Sequence, residues 1–571
     1  GEVQYQEISP NRGIFSCSEH LIHFGLGQTQ QLNKLTVRWP DGKYQEMSNV
    51  PVNQRLQLDY ANASGYKKHL SPDYSGSTLM ADKTANSGVN FVHRENKYID
   101  FEHYPLVPWY ETDLGPLAAK GDVNGDGLDD FYVGNGFGQP SALYIQTAGG
   151  QFKPTNQSIW EAEKQYEDHG AVFFDFDMDG DLDLYVVSGG SEAVKGSEAF
   201  AWQSRLYINT DGKGTFGKAN PANLPDIRDV GLRVTAHDYD GDGDQDLFLG
   251  GRVVPQRWPL TPQSRVIRND RNRLTDVTAE VGGDFAKCGM VTDLSWGDLD
   301  KDGQPELIVV GEWMPVTVFK LQGGKLVNVS KQFGFDKSDG LWHSLELADL
   351  DKDGDLDIVT GNFGLNTRFF ASEKGPLGCY AKDFDNNGTL DPIMTMYEGE
   401  NNFPMAQKEN IVKQIPSLKK KFLYAKDWST ATIEDVFPKA DLDAALHLVA
   451  YDLETCWWEN QNGKFVRKRL PRQAQISVIQ GIVAEDLNGD GHLDLLLAGN
   501  KSRLEIEGGR CDAGNGVFLA GDGKGNFSWV NNLQSGFWAS REARDLLMLR
   551  GPAGKRIFVV PNSNSALQIF Q

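Results

Sequence analysis

One nine-residue pattern of acidic residues recurs seven times in this chain, and its spacing is that of a cation loop. In DFDMDGDLD, starting at Asp175, five carboxylates fall within nine residues and would repel one another without a counter-charge. Ca²⁺ takes six to eight oxygens at about 2.3–2.6 Å and suits such a loop. Side chains at positions 1, 3, 5 and 9 can converge on the ion, position 7 can lend its carbonyl, and glycine at position 6 permits the sharp turn.

Taken in chain order, with the fourth residue of each set offering a carbonyl, the candidate ligands are as follows. The first two loops hold Asp122, Asn124, Asp126, Leu128 and Asp130, then Asp175, Asp177, Asp179, Asp181 and Asp183. The next three hold Asp238, Asp240, Asp242, Asp244 and Asp246, then Asp298, Asp300, Asp302, Gln304 and Glu306, then Asp349, Asp351, Asp353, Asp355 and Asp357. The last two hold Asp383, Asp385, Asn387, Thr389 and Asp391, then Asp486, Asn488, Asp490, His492 and Asp494. Up to seven Ca²⁺ are therefore expected. The loops headed by Asp175, Asp238, Asp298 and Asp349 have four carboxylate ligands. Those headed by Asp122, Asp383 and Asp486 have asparagine in place of one, and should bind more weakly.

An EF-hand would need glutamate at position 12 and a helix on each side. Position 12 here is Val133, Val186, Leu249, Val309, Thr360, Met394 or Leu497, and the flanks (FYVG, LYVV, LFLG, LIVV) are strand-like. The loops therefore lie between strands. Their starts are 53, 63, 60, 51, 34 and 103 residues apart, and most of these intervals fit one four-stranded sheet per repeat. Each repeat reads as a small-residue strand, the acidic loop, an apolar strand, a third strand, a turn and an outer strand. LYINTDGKGTF, WWENQNGKF and VFLAGDGKGNF show the third strand and turn. Such sheets bury their faces only against neighbours, so the array must close or be capped.

These loops, strands and turns resemble FG-GAP or VCBS repeats, the blades of integrin-like β-propellers. Upstream, HFGLG at His23 to Gly27 and VRWPDGK at Val37 to Lys43 resemble the ASPIC/UnbV domain, whose first strands are not seen. Together the two resemblances point to relatives of the cartilage acidic protein family, which are secreted or surface proteins. The expected fold is all-β: a calcium-binding propeller, with a small partial β domain at residues 1–60, a linker at 61–84 and the propeller at 85–571. Eight blades are favoured, because the Asp383 unit reads as owning a full set of strands; seven is the family precedent. The strand GVNFVHRE, around Phe91, is expected to complete the last blade. The long interval holds an insertion at about 399–444 with helical pieces, either a surface elaboration or a lid or partner-binding element over one propeller face.

Charge and composition exclude some classes. A net charge of −23 argues against nucleic acid, which needs a basic surface; seven divalent ions would leave about −9. No run of 18 apolar residues spans a membrane. The five cysteines are scattered and set up no disulfide framework. The opening GEVQYQEIS reads like the interior of a domain, so the chain is taken as a fragment, and the missing upstream portion could carry a lipid or partner anchor.

Function is expected on the face opposite the acidic loops. Trp109, Tyr110, Trp202, Arg252, Arg257, Trp258, Trp313, Trp342, Arg368, Arg503, Arg510 and Trp538 lie outside the repeat pattern there, and exposed Trp and Arg are enriched at binding hot spots. The reading is an extracytoplasmic binding or adhesion module for a glycan or protein. Two alternatives stay open: a polysaccharide lyase or hydrolase using groups such as His103, His169, His343, Glu312, Arg252 and Arg368, or a purely structural module. No catalytic residue is assigned.

Overall fold

The computed structural model describes residues 3–9, 11, 13–66, 77–190 and 202–571. Residues 67–76 of the polar stretch read as a linker lie outside the described residues. The chain divides into two compact units, 1–77 and 78–571.

In the first unit, strands Gln31–Arg38 and Lys43–Pro51 pair antiparallel, and Ser64–Tyr66 adds to the second. Leu35 and Val37 alternate with exposed neighbours, the period-2 pattern of a half-buried strand. The Pro40-Asp41-Gly42 turn is closed by Trp39 N–H donating to Lys43 O (2.8 Å) and by the Asp41 carboxylate, which accepts from Tyr60 OH (2.5 Å).

The second unit is a β-propeller of seven antiparallel sheets. Their innermost strands, Ala118–Gly121, Asp168–Phe174, Val230–His237, Met290–Gly297, Ser344–Ala348, Gly481–Glu485 and Leu547–Arg550, pack side by side into a closed ring. Second strands such as Asp183–Ser188, Glu306–Met314 and Asp494–Ala498 are buried along their whole length. Each lies between two neighbouring sheets, so no solvated face remains to alternate with, and the residues after the loop carboxylate run apolar (LYVV, LIVV, LLLA).

Eight sheets follow the first unit, but only seven stand in the ring, which corrects the preference for eight blades. The fifth blade has its first two strands at Ser344–Ala348 and Asp357–Gly361 and its last two at Cys456–Asn460 and Phe465–Arg469. Between the second and third strands the chain leaves the ring and builds a separate sheet, ordered Asn401–Pro404, Asp391–Glu398, Leu377–Lys382, Leu446–Ala450. The Asp383 loop belongs to that sheet. This accounts for the 34-residue spacing: the chain departs before its blade is finished.

Short helices, among them Lys408–Gln414, Leu418–Lys421 and Ile433–Val436, fill the part of this excursion expected to be helical. They bury Ile411, Ile415, Phe422, Ile433 and Phe437 in a core of their own, into which Ile393 of the sheet and Leu106 also pack. The last strand of the extra sheet packs on the second strand of blade 4. No described helix is long and apolar enough to cross a membrane.

The seventh blade has three strands of its own, ending in Gln568–Phe570, and the chain's earlier residues complete it. Ala81 and Gln571 exchange backbone hydrogen bonds, Lys83 N–H donates to Ile569 O (2.7 Å), and Val92 bridges Ala566. Asp129, beside the first acidic loop, pairs with Arg550 of blade 7 at 2.8 Å and further ties the ring shut.

Across the central channel, Arg233 of blade 3 forks onto Asp545 of blade 7 (2.8 and 3.0 Å), with Asp293 of blade 4 at 3.6 Å. Glu346, on the innermost strand of blade 5, faces the same charges. Burial and then Asp293 push its carboxyl up to about 7, against the pull of Lys120. A raised folded-state value means that stability is fully present below about pH 4.5 and is lost as pH rises through about 7. Glu346→Gln is therefore expected to melt like the native protein at pH 4.5 and above it at pH 8, by up to about 3 kcal/mol. Melting curves of the two proteins across that range test this, and a pH-independent gap would assign the effect to packing.

Candidate functional site

Each acidic loop joins the first and second strands of its sheet, so the six loops of the ring share one face. Their local geometry is uniform. The position-1 carboxylate accepts the N–H of the position-6 glycine in all seven, for example Asp122 from Gly127 (2.8 Å), Asp298 from Gly303 (3.0 Å) and Asp486 from Gly491 (2.9 Å). These glycines have φ between +84° and +97°, which a residue with Cβ adopts only at a cost.

Position 9 has a second role that its spacing alone does not reveal. Asp183 is fully buried; it accepts Phe176 N–H (3.1 Å) from its own loop and Asn209 N–H (2.8 Å) from the third strand. Asp130, Asp246 and Asp357 repeat this clamp. Burial, with the facing loop carboxylates adding to it, pushes all four up to about 7.

In five loops, carboxylate oxygens of three residues lie within 4.8 Å of one another: Asp175, Asp177 and Asp183; Asp238, Asp240 and Asp246; Asp298, Asp300 and Asp302; Asp349, Asp351 and Asp353; Asp383, Asp385 and Asp391. These groups could hold a metal ion. Asp177 Oδ1, Asp349 Oδ1 and Asp385 Oδ1 are buried without a hydrogen-bond donor, which a cation would satisfy. In the Asp122 and Asp486 loops asparagine stands in place of the position-3 carboxylate, and Asn124 and Asn488 donate their amides to Asp126 and Asp494 (3.3 Å each).

The Asp298 loop differs from its sisters in holding a lysine side chain among three carboxylates. Lys320 Nζ sits among Asp300 Oδ2 (2.7 Å), Asp302 Oδ2 (2.7 Å) and Glu306 Oε1 (2.8 Å). The expected fourth strong loop already contains a cation.

On the opposite face five of the twelve residues of the expected Trp and Arg rim are interior. Trp109, Arg252, Trp258, Trp313 and Trp342 are buried. Trp109 packs on Trp258, Phe363 and Phe369, with Lys501 Nζ 5.1 Å from its ring centroid, so these side chains form an aromatic plug rather than a contact surface. Tyr110, Trp202, Arg368 and Arg503 are partly exposed; Arg257, Arg510 and Trp538 are exposed. Tyr110 lies 5.1 Å from the Arg503 guanidinium, and Arg503 pairs with Asp113 (3.2 Å).

Beneath the plug, three of the groups named as possible catalytic participants meet. Arg252 Nη2 is 2.8 Å from Glu312 and 3.3 Å from Glu111, while His343 Nδ1 and Lys501 Nζ lie 3.8 and 3.7 Å from Glu312. Burial opposes ionisation of Glu312, but Arg252, Lys501 and His343 outweigh it and hold the carboxyl down to about 2. Burial pushes Glu111 up to about 7 and the neutral His343 down to about 3. His169 is held apart, between Gly231 O (2.8 Å) and Glu167 (3.1 Å).

A cleft that the sequence did not signal lies where residues 98–112 run between blade 3 and the extra sheet. Tyr98, Tyr104, Val107, Val253, Gln256 and Trp258 line it, with Leu390, Pro392 and Gln414 as the far wall. Gln414 also donates to Asp391 Oδ1 (2.8 Å), position 9 of the Asp383 loop. One side chain therefore touches both the cleft and a candidate metal loop.

No curated protein matches this chain in sequence. Among solved structures, the V. cholerae biofilm matrix protein Bap1 aligns over 80% of this chain and 76% of its own at 12% identity and TM-score 0.30. The exotype rhamnogalacturonan lyase YesX aligns over 80% and 71% at 12% and 0.35, and Saccharomyces cerevisiae Sqt1 over 81% and 98% at 11% and 0.37. Residues 1–65 match the family model for ASPIC and UnbV, and residues 122–186 and 298–360 match the FG-GAP-like repeat. Both FG-GAP matches run from one acidic loop to the second strand of the next blade, so the chain carries an ASPIC and UnbV segment and FG-GAP-like repeats set in a seven-bladed propeller.

Proposed function

We propose that this chain is an extracytoplasmic, calcium-loaded propeller that acts as a binding module for carbohydrate, with the cleft between blade 3 and the extra sheet as its site. The carrying observation is the lining of that cleft: the half-buried rings of Tyr98 and Tyr104 border it, the buried Trp258 forms its floor, Gln256 and Gln414 offer amides, and Asp100 and Glu111 offer carboxyls. Apolar walls with a few convergent polar groups are the usual make-up of a small-ligand site, and amphipathic rings suit a ligand with one apolar and one hydroxylated face. Calcium enters at the Asp383 loop, which supports Gln414 in the cleft wall. Calcium loops of extracellular modules fill at about 10⁻⁴–10⁻³ M, which favours a compartment with millimolar calcium.

Binding of the calcium-loaded protein to a glycan array, with products followed by mass spectrometry, tests this reading. Retention of a defined glycan class without new products, lost in Tyr104→Ala and after calcium removal, is the expected result. Retention that survives Tyr104→Ala would move the site elsewhere. Cleavage products would favour the enzyme alternative, for which the Arg252, Glu312, His343 and Lys501 cluster is the specific support. Silence in every arm would leave a protein partner or a structural role.

A further inference from the structure

We infer that the Asp298 loop of blade 4 takes no metal and is instead neutralised by a built-in cation, the Lys320 ammonium. The inference rests on the calcium reading of the sister loops. Lys320 comes from the third strand of blade 4, Thr317–Gln322, and the register that pairs Leu307 with Phe319 places it opposite Glu306, position 9 of the loop. The Lys320 ammonium donates to Asp300 Oδ2 and Asp302 Oδ2 (2.7 Å each) and is ion-paired with Glu306 Oε1 at 2.8 Å, so three loop carboxylates share one positive charge. A metal at the same oxygens would have to displace a like charge.

Two departures from the sister loops show that this arrangement is written into blade 4. The residue in the place of Lys320 is Ile145, Ile208, Arg268, Glu459 or Ala520 in the other five acidic-loop blades of the ring. Only Arg268 among these is basic, and it forks away onto Asp270 (2.9 and 3.1 Å). Position 9 also differs. In the sister blades an aspartate spends one oxygen on a third-strand N–H, as Asp183 does with Asn209 and Asp357 with Asn460. Glu306 is one methylene longer; it gives Oε2 to Leu299 N–H (2.8 Å) and turns Oε1 to the lysine. Glutamate and lysine thus replace the aspartate clamp and the ion together.

Calcium content per chain after equilibrium dialysis, and melting in chelator, test the assignment on the full protein. Lys320→Met is expected to bind one more calcium than the native chain, to melt below it in chelator, and to recover when calcium is added. Asp302→Asn in the native background should leave the calcium count unchanged. Loss of one ion from Asp302→Asn would overturn the inference, as would a Lys320→Met variant with unchanged count and unchanged melting in chelator. The double variant Lys320→Met with Asp300→Asn guards against a simple folding defect: it should regain part of the chelator melting temperature, because one uncompensated carboxylate is gone. Should the native chain bind no calcium at any loop, the calcium reading falls and the chelator arm alone decides the lysine, a lower melting point supporting it and an unchanged one sinking it.

Discussion

Chelating calcium is expected to lower the melting temperature of the propeller by on the order of 10 °C. An ion that binds only the folded state stabilises it by RT ln(1 + [Ca²⁺]/Kd), about 1.8 kcal/mol per site at 2 mM calcium and a Kd of about 10⁻⁴ M. Six loops without a built-in cation then contribute on the order of 10 kcal/mol. The propeller unit has about 490 residues, for which the unfolding entropy is about 1 kcal/mol per degree. Calorimetry with and without chelator measures the shift directly, and a shift of under about 2 °C would mean that the loops stand without ions.

The local source of the effect can be isolated at position 5 of the Asp175 loop. Asp179 is exposed and its Oδ1 accepts Asp181 N–H (3.0 Å), a modest local contact. Removing it should therefore matter little in chelator but cost about 1–2 kcal/mol in saturating calcium, where a ligand is lost. An Asp179→Ala protein that melts like the native one in saturating calcium would take that side chain out of the ligand set.

What could be read from the sequence was whatever is local in the chain. All seven acidic loops were legible because aspartate at position 1, aspartate or asparagine at position 3, an acidic residue at position 9 and glycine at position 6 form one turn whose bonds close within nine residues, as Gly180 and Asp175 show (3.1 Å). Lys320 was not, because it reaches the Asp298 loop across a strand pair, 14 residues beyond Glu306, and no nine-residue window contains both. The blade count failed for a related reason: blade 5 collects its third strand almost a hundred residues after its second. A signal did exist. Asn209, Asn269 and Asn460 each close a third strand and donate Nδ2–H to the loop of the preceding blade, at Val123 O, Phe176 O and Leu299 O. The shared asparagine of LYIN, VIRN and WWEN therefore assigns Trp457 and Trp458 to the blade that follows the Asp298 loop. The five buried members of the Trp and Arg rim could not be told from the exposed ones because exposure is a tertiary property. Trp109 and Trp342 look like surface exceptions to the repeat, but Trp109 is enclosed among the ring, the extra sheet and the 98–112 segment, and Trp342 is enclosed in the core between blades 4 and 5, against Trp458.

That enclosure makes the charges under the plug the second point of large expected effect. Arg252 is the cation shared by Glu312 and Glu111, and all three are almost fully buried. Removing one member of a buried ionic group leaves the others charged in a poor solvent and costs about 3–5 kcal/mol. Arg252→Met, which keeps the volume and drops the charge, is expected to fall in that range, about 3–5 °C in melting temperature for a unit of this size. Glu312 would then keep Lys501 and His343 at 3.7 and 3.8 Å, beyond hydrogen-bond distance. The loss should shrink at low pH: with Arg252 gone, Glu312 is free to take up a proton, so a carboxyl held near 2 in the native protein would titrate much higher in the variant. The sign follows from linkage. The native pair is stabilising above the unfolded carboxyl value and loses that advantage as pH falls toward 2, so the gap between native and Arg252→Met should be largest at pH 7–8 and narrow below about pH 4. The double variant Arg252→Met with Glu312→Leu removes both charges and should recover much of the loss at neutral pH, since a buried ion pair replaced by apolar groups is often neutral or better. A double variant as unstable as Arg252→Met alone would mean that Arg252 matters for its packing beneath the aromatic plug, and that its charge holds nothing together.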